Sequence, residues 1–107
     1  MAMRILNWYF DGKGELPAFY AERDYSPKDI RLYSKQAPGK ACKVDIRDDG
    51  VSILEHYAQL SGQQNLEELA GNFTGADIEE GSVITCHIVD TGGMATLSVQ
   101  LEMESLE

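Results

Sequence analysis

Apolar and charged residues alternate most regularly in residues 41–54, and this pattern predicts a β-hairpin. The apolar positions of its first half are Cys42, Val44 and Ile46, and the charged positions between them are Lys43, Asp45 and Arg47. A period of two places these sets on opposite faces of a strand. Asp48-Asp49-Gly50 follows, and Asp-Gly is a frequent two-residue hairpin turn. Because Val51 and Ile53 resume the apolar face, the sequence predicts two antiparallel strands joined by this turn.

Alternation or a high content of aliphatic and aromatic residues predicts further strands elsewhere in the chain. They are expected at residues 4–10, 28–35, 83–90 and 95–103, with a short or edge strand within 16–25. In the first strand, we assign Leu6, Trp8 and Phe10 to the core face. The segments 28–35, 41–47 and 51–54 are joined by short connections, so we expect them to pair successively as a meander.

Residues 55–76 have no clear period, and the segment is long for a plain loop. Within it, residues 65–70 carry two leucines three positions apart after an Asn, which predicts one or two helical turns. The complete pattern predicts an all-β fold. We expect one domain over residues 1–107, built as an antiparallel β-sandwich that resembles a jelly roll and contains at most one short helix.

The chain of 107 residues has a formal net charge of −9. This charge repels phosphate backbones and anionic lipid, so it argues against a general role in binding nucleic acid or membrane surfaces. The N-terminus has no signal-peptide pattern, and no apolar run is as long as a membrane span. We therefore expect synthesis in a cytoplasm.

Residue types suited to catalysis are few. Cys42 and Cys86 lack the spacing of a zinc site, and we expect buried reduced thiols. His87 follows Cys86 directly, but neighbouring residues of a strand point to opposite faces and do not act as a nucleophile and its base. Since no nucleophile elbow or phosphate-binding glycine loop is present either, we expect a protein that is not an enzyme, with no catalytic residue and no cofactor.

Two sets of side chains are candidates for ligand binding. Exposed aromatic rings can stack on sugars, and the candidates for such a surface are Trp8, Tyr9, Tyr20 and Tyr33. Carboxylates clustered at turns can hold calcium, and the candidates are Asp45, Asp48 and Asp49 at one turn and Asp77, Glu79 and Glu80 at another. Solvated turn carboxylates are the commoner outcome for such acidic clusters, and neither spacing fits an EF-hand loop.

A series of short motifs extends over about 80 residues from Tyr20 onward. In chain order, the motifs are Phe19-Tyr20, Ala37-Pro38-Gly39, Val44-Asp45-Ile46, Asp48 to Ile53, Ile78 to Ser82, and Leu97 to Leu101. Their order resembles a β-sandwich module of tailed-bacteriophage virion proteins, especially tail-fibre and other tail-associated proteins. The chain departs from that pattern in having no residue between Pro38 and Gly39, and in Ser82 where Asp is usual.

The resemblance implies a non-enzymatic structural or adhesion module of a phage virion or tail. Its expected partners are other virion proteins or further copies of itself, with a trimer as the expected order in a fibre. Its expected location is the virion, after synthesis in the host cytoplasm. The alternative function is a carbohydrate-binding module that contacts a cell-surface glycan through its exposed aromatic residues.

Overall fold

The computed structural model describes residues 2–12, 16–35, 39–60, 67–68, 72–94 and 96–106. Nine strands form in these residues, and no helix does. The strands are β1 (Met3–Phe10), β2 (Phe19–Tyr20), β3 (Tyr25–Tyr33), β4 (Cys42–Asp48), β5 (Val51–Ser52), β6 (Ala58–Leu60), β7 (Glu67–Glu68), β8 (Val83–Asp90) and β9 (Leu97–Ser105). The predicted all-β class is confirmed.

Two antiparallel sheets form the sandwich. The first sheet has the order β1-β9-β3-β7, and the second has the order β2-β8-β4, with both β5 and β6 pairing to β4. The pairings are nested, since β1 pairs with β9, β2 with β8, β3 with β7, and β4 with β5 and β6. This is the topology of a long hairpin rolled up on itself. The additional antiparallel pairs β3·β9 and β4·β8 join its successive strand pairs within each sheet. The jelly-roll-like sandwich is therefore confirmed.

The predicted hairpin forms with β4 and β5 as its strands. Arg47 lies opposite Ser52 and Asp48 opposite Val51. Asp49 and Gly50 both have positive φ, at 49° and 86°, as a two-residue turn of the I′ type requires. Ile53 is buried as expected, but Val51 is 70% exposed, because it lies next to the turn at the hairpin tip.

Alternating residues of both sheets fill the core. Leu6 and Trp8 of β1 are buried, as predicted, and Phe10 packs partly against them. The largest wholly buried side chains of the other long strands are Ile30, Leu32, Val44, Ile46, Ile84, Leu97, Val99, Leu101 and Met103. Their burial fixes which residues of each strand point outward, and that outward set forms the surfaces described below.

The predicted meander is wrong at its first step. β3 lies in the first sheet between β9 and β7, whereas β4 lies in the second sheet between β8 and the β5 and β6 strands. The connection from β3 to β4 therefore crosses between sheets. Short connections favour pairing, but both edges of β3 are occupied by strands that are distant in sequence.

The predicted helical turn over residues 65–70 is wrong at Glu67–Glu68, which form strand β7 opposite Leu32 and Arg31. The remaining residues of that prediction lie outside the described part of the chain. The helical signal consisted of two leucines and an Asn, and pairing to the edge of β3 overrides so weak a preference.

Candidate functional site

The four aromatic residues predicted as a stacking surface do not lie together. Trp8 is 2% exposed, and its indole N–H donates to the carbonyl of Pro17 at 2.7 Å. Its ring packs edge-on against Phe19, with centroids 5.3 Å apart. Trp8 is therefore a core residue, and its assignment as a stacking residue is wrong. Tyr20 is exposed, but it belongs to β2 in the second sheet.

Tyr9 and Tyr33 are brought together by strand register. Tyr9 of β1 and Tyr33 of β3 both lie opposite Ser98 of β9, the strand between them. Residues that pair across a sheet share a face, so both tyrosines stand on the outer face of the first sheet. They are 56% and 41% exposed. Two steps of strand spacing separate their Cα atoms by about 9 to 10 Å.

A shallow groove of about 250 Å³ lies between and beside these rings. Its floor includes Ser98 and, one row further along the strands, Asn7, Gln100 and Arg31. The Gln100 amide donates to the Asn7 side-chain oxygen at 3.0 Å. We call this surface, lined by Asn7, Tyr9, Arg31, Tyr33, Ser98 and Gln100, the tyrosine groove. It combines two exposed rings with hydroxyl and amide groups.

The charge in the tyrosine groove is balanced locally. Arg31 Nε lies 3.3 Å from Asp29 Oδ2, and Arg31 Nη2 lies 3.8 Å from Glu102 Oε2. Two carboxylates thus accompany the one guanidinium of the floor. The groove offers hydrogen-bond donors and acceptors without an excess of positive charge, and this suits an uncharged polar ligand better than an anion.

Further concave surfaces lie in the described part of the chain, among them two that are larger than the tyrosine groove. One, of about 550 Å³, is lined by Phe10, Leu16, Ala18 and residues 85–88 of β8. Its wall at Leu16 adjoins residues 13–15, which lie outside the described residues. The other, of about 510 Å³, lies on the outer face of the second sheet beside Asp45, Ser52 and residues 54–57.

Asp45 is not the solvated turn carboxylate that the sequence favours. It is 3% exposed, and its Oδ1 accepts from the Ser52 hydroxyl at 2.5 Å. Its Oδ2 accepts from Arg47 Nε at 2.9 Å. Asp49 instead uses its carboxylate to accept from the backbone N–H of Val83 at 2.9 Å.

Of the predicted calcium sets, Asp45 and Asp49 therefore direct their carboxylates to other parts of the protein. Within the described ranges, no group of three or more His, Cys, Asp or Glu side chains is arranged to hold a metal ion. Asp45, Asp48, Asp49, Asp77, Glu79 and Glu80 all lie within those ranges.

The cysteines are both free and buried, as predicted. Burial, with a smaller contribution from Asp90, raises the pKa of Cys42 to about 11. Burial, followed by Asp45 and Cys42, raises the pKa of Cys86 to about 12. His87 is on the outer face and contacts Thr85 Oγ1 at 2.9 Å through Nε2. The adjacent cysteine and histidine therefore point to opposite faces, as the strand period predicted.

The sequence reasoning missed the floor of the tyrosine groove. Ser98 and Gln100 alternate with the apolar residues of the last strand, but nothing local indicates that Tyr9 and Tyr33 lie on either side of Ser98. The signal that identifies the groove is the sheet order β1-β9-β3, which joins residues far apart in the chain.

Neither the scan against protein-family models nor the search of curated proteins finds a match for this chain. No helix in the described residues is long and apolar enough to span a membrane.

Proposed function

We propose that this protein is a non-enzymatic adhesion module of a phage virion or tail, and that its tyrosine groove binds a neutral sugar of a cell-surface glycan. The observation that carries the proposal is the placement of two exposed tyrosines on either side of Ser98. Glycan binding was the alternative function suggested by the sequence, and the geometry favours it for two of the four aromatic residues.

The groove matches the chemistry of a sugar ring. A pyranose has C–H groups on its faces and hydroxyl groups around its rim, so it is bound by aromatic faces together with hydroxyl and amide side chains. A ring held between two others at van der Waals contact needs about 7 to 8 Å. The strands that carry Tyr9 and Tyr33 are about 9 to 10 Å apart, a span wider than one such ring requires.

The charge of the protein limits the ligand class. The formal net charge of −9 repels anionic sugars at long range, and the Arg31 guanidinium is already accompanied by Asp29 and Glu102. We therefore expect binding to neutral hexoses and N-acetylhexosamines, and weaker binding to sialylated or sulfated glycans.

The test is a glycan array followed by NMR titration of the protein with the sugars that bind. Tyr9→Ala and Tyr33→Ala should each raise the Kd about fivefold or more, because each removes a stacking contact of about 1 kcal/mol. Tyr20→Ala is the matched control, since this tyrosine is 69% exposed but belongs to the other sheet. An absence of binding to neutral glycans, or equal losses in all three variants, would refute the proposal.

The assignment to a virion depends on the family resemblance and has its own test. The resembling motifs include Val44-Asp45-Ile46 and the turn that follows, which here form a strand and hairpin of a jelly-roll-like sandwich. That architecture occurs in capsid and lectin domains, which supports the proposal by analogy only. Mass spectrometry of purified phage particles should detect the protein in stoichiometric amount. Its absence from the particles would exclude a virion role while leaving sugar binding to be judged separately.

A further inference from the structure

β1 is an edge strand of unusual composition. It spans eight residues, and among the described strands it pairs only with β9. Edge strands of this length are commonly protected by outward charges, proline or a bulge. β1 has neither proline nor a bulge, and its one charged residue, Arg4, is on the inner face, where it pairs with Glu22.

The hydrogen-bonding pattern identifies which backbone groups of β1 face outward. The N–H of Ser105 donates to the carbonyl of Ala2 at 2.8 Å. In an antiparallel pair, alternate residues exchange hydrogen bonds, so the even-numbered residues of β1 bond to β9. The odd-numbered residues Met3, Ile5, Asn7 and Tyr9 then direct their N–H and C=O groups away from the sheet. The N–H of Leu106 donates to Asp24 at 3.0 Å on the other side of β9, which agrees with this alternation.

Residues 17–20 contact β1 without using these outward backbone groups. The side chain of Trp8 donates to Pro17 O, and the side chain of Arg4 donates to Tyr20 O. Both contacts come from even-numbered side chains on the inner face of β1. Within the described residues, no turn or loop hydrogen bond involves the backbone of residues 3, 5, 7 or 9.

The same odd-numbered residues have their side chains on the outer face, and none is charged. Met3, Ile5 and Tyr9 are 46%, 47% and 56% exposed, and Asn7 is also exposed. The strand therefore offers a neutral, largely apolar strip in a chain of net charge −9. Two copies repel each other over most of their surfaces but not along this strip.

We infer that β1 pairs with β1 of a second copy of this chain, antiparallel, about a two-fold axis through Asn7. In this register, Ile5 lies opposite the second copy's Tyr9, and Asn7 lies opposite the second copy's Asn7. A β-branched residue opposite an aromatic residue is a favourable cross-strand pair, and the two-fold axis supplies it twice. The pairs at residues 5, 7 and 9 also use the backbone groups that face outward, with two hydrogen bonds exchanged at each.

A shift by one step along the edge loses this match. With Ile5 opposite the second copy's Asn7, an aliphatic side chain faces an amide and Tyr9 faces Met3. Within residues 5–9, the register centred on Asn7 is the one that pairs apolar with apolar and amide with amide. It joins the first sheets of two sandwiches into one continuous sheet and leaves the Ser98 floor of each tyrosine groove uncovered.

Cross-linking tests both the pairing and its register. On the two-fold axis, the Cα atoms of the two Asn7 residues lie about 5.5 Å apart, within the range of a disulfide. Asn7→Cys should therefore give a covalent dimer under mild oxidation. Ile5→Cys is the matched control, because the two Ile5 residues lie about 13 Å apart in this register. A mixture of Ile5→Cys with Tyr9→Cys should cross-link, and the native cysteines do not interfere because both are buried.

Light scattering on the wild-type chain is the independent measurement. We expect a mass of twice 11.9 kDa at millimolar concentration, and a larger dimer fraction at higher salt as the repulsion of two −9 chains is screened. Asn7→Lys and Asn7→Asp should each be monomeric, and their equimolar mixture should recover the dimer mass. A monomeric or trimeric wild-type mass would overturn the inference. So would a different register, which would appear if Asn7→Cys did not cross-link by itself but did cross-link in a mixture with Ile5→Cys. These measurements do not involve a glycan, so their failure is separate from that of the proposed sugar binding.

Discussion

The buried carboxylate of Asp45 leads to the sharpest stability prediction. Asp45→Ala removes the acceptor for the Ser52 hydroxyl at 2.5 Å and for Arg47 Nε at 2.9 Å. Because Asp45 is 3% exposed, water does not readily replace it. The substitution leaves the Ser52 hydroxyl and the Arg47 guanidinium without this partner on the outer face of the second sheet.

The two contacts contribute unequally to the expected loss. The Arg47 side chain is 37% exposed, so solvent screens its ion pair and we expect about 0 to 1 kcal/mol from it. The hydroxyl bond to a buried carboxylate is charge-assisted and contributes about 1.5 to 3 kcal/mol. The free energy of unfolding should therefore fall by about 1.5 to 4 kcal/mol in Asp45→Ala. A solvated turn carboxylate would change it by less than about 0.5 kcal/mol.

Guanidinium chloride unfolding of the wild type and variants measures this difference. Asp77→Ala is the control, because Asp77 is an exposed acidic residue outside the strands. Asp45→Asn keeps one acceptor oxygen for Ser52, so it should lose less stability than Asp45→Ala. A double-mutant cycle between Asp45→Ala and Ser52→Ala should give a coupling energy of about 1 kcal/mol or more. Equal stabilities of Asp45→Ala and Asp77→Ala, within 0.5 kcal/mol, would contradict the reasoning.

Three further predictions concern the thiols, the hairpin turn and the single tryptophan. Folded Cys42 and Cys86 keep their protons after the unfolded thiols ionise at about 9, because their pKa values are raised to about 11 and about 12. The free energy of unfolding should thus fall by about 1.4 kcal/mol per pH unit per thiol between pH 9 and 11. Denaturant titrations at several pH values should show that the free energy of unfolding depends less steeply on pH in the Cys42→Ala/Cys86→Ala variant. An unchanged pH dependence would refute this. Gly50→Ala should lower the free energy of unfolding by about 1 to 2 kcal/mol, because a φ of +86° is unfavourable for alanine. This loss comes from the backbone alone, since no atom lies within 4 Å of the added Cβ, and Gly39→Ala, which lacks a positive φ, should cost little. Trp8 should emit at short wavelength and resist acrylamide quenching until the protein unfolds, and ready quenching of the native protein would contradict its burial.

The local sequence pattern was sufficient to predict the hairpin, but it did not predict which residues surround the charged face of that hairpin. The alternation around Val44 and the positive-φ residues Asp49 and Gly50 were readable because each depends on neighbours in sequence. Alternation also placed Asp45 on the outer face. It did not show that Ser52 would contact that carboxylate and that the face would be covered there, which depends on the path of the chain after β5.

Sheet assignment was the part of the fold that sequence reasoning missed. β3 and β4 are close in the chain but belong to different sheets, while β1 pairs with β9 from the opposite end of the sequence. Hydrophobic period determines the face of a residue, but it contains no information on which strand lies beside it. Residue type alone therefore makes Tyr9 and Tyr33 candidates together with Trp8 and Tyr20, and only the shared neighbour Ser98 shows that these two form one surface.

The nested strand pairing has a consequence for the speed and order of folding. Bringing β1 to β9 directly would close a loop of nearly the whole chain, which is entropically costly and slow. The β4–β5 hairpin closes over only two residues, and each pair formed outside it shortens the loop left for the next. We therefore expect folding to begin at the Asp49–Gly50 turn and to extend toward the chain ends. A strained turn should accordingly slow refolding, whereas a defect at the β1–β9 pair should mainly accelerate unfolding.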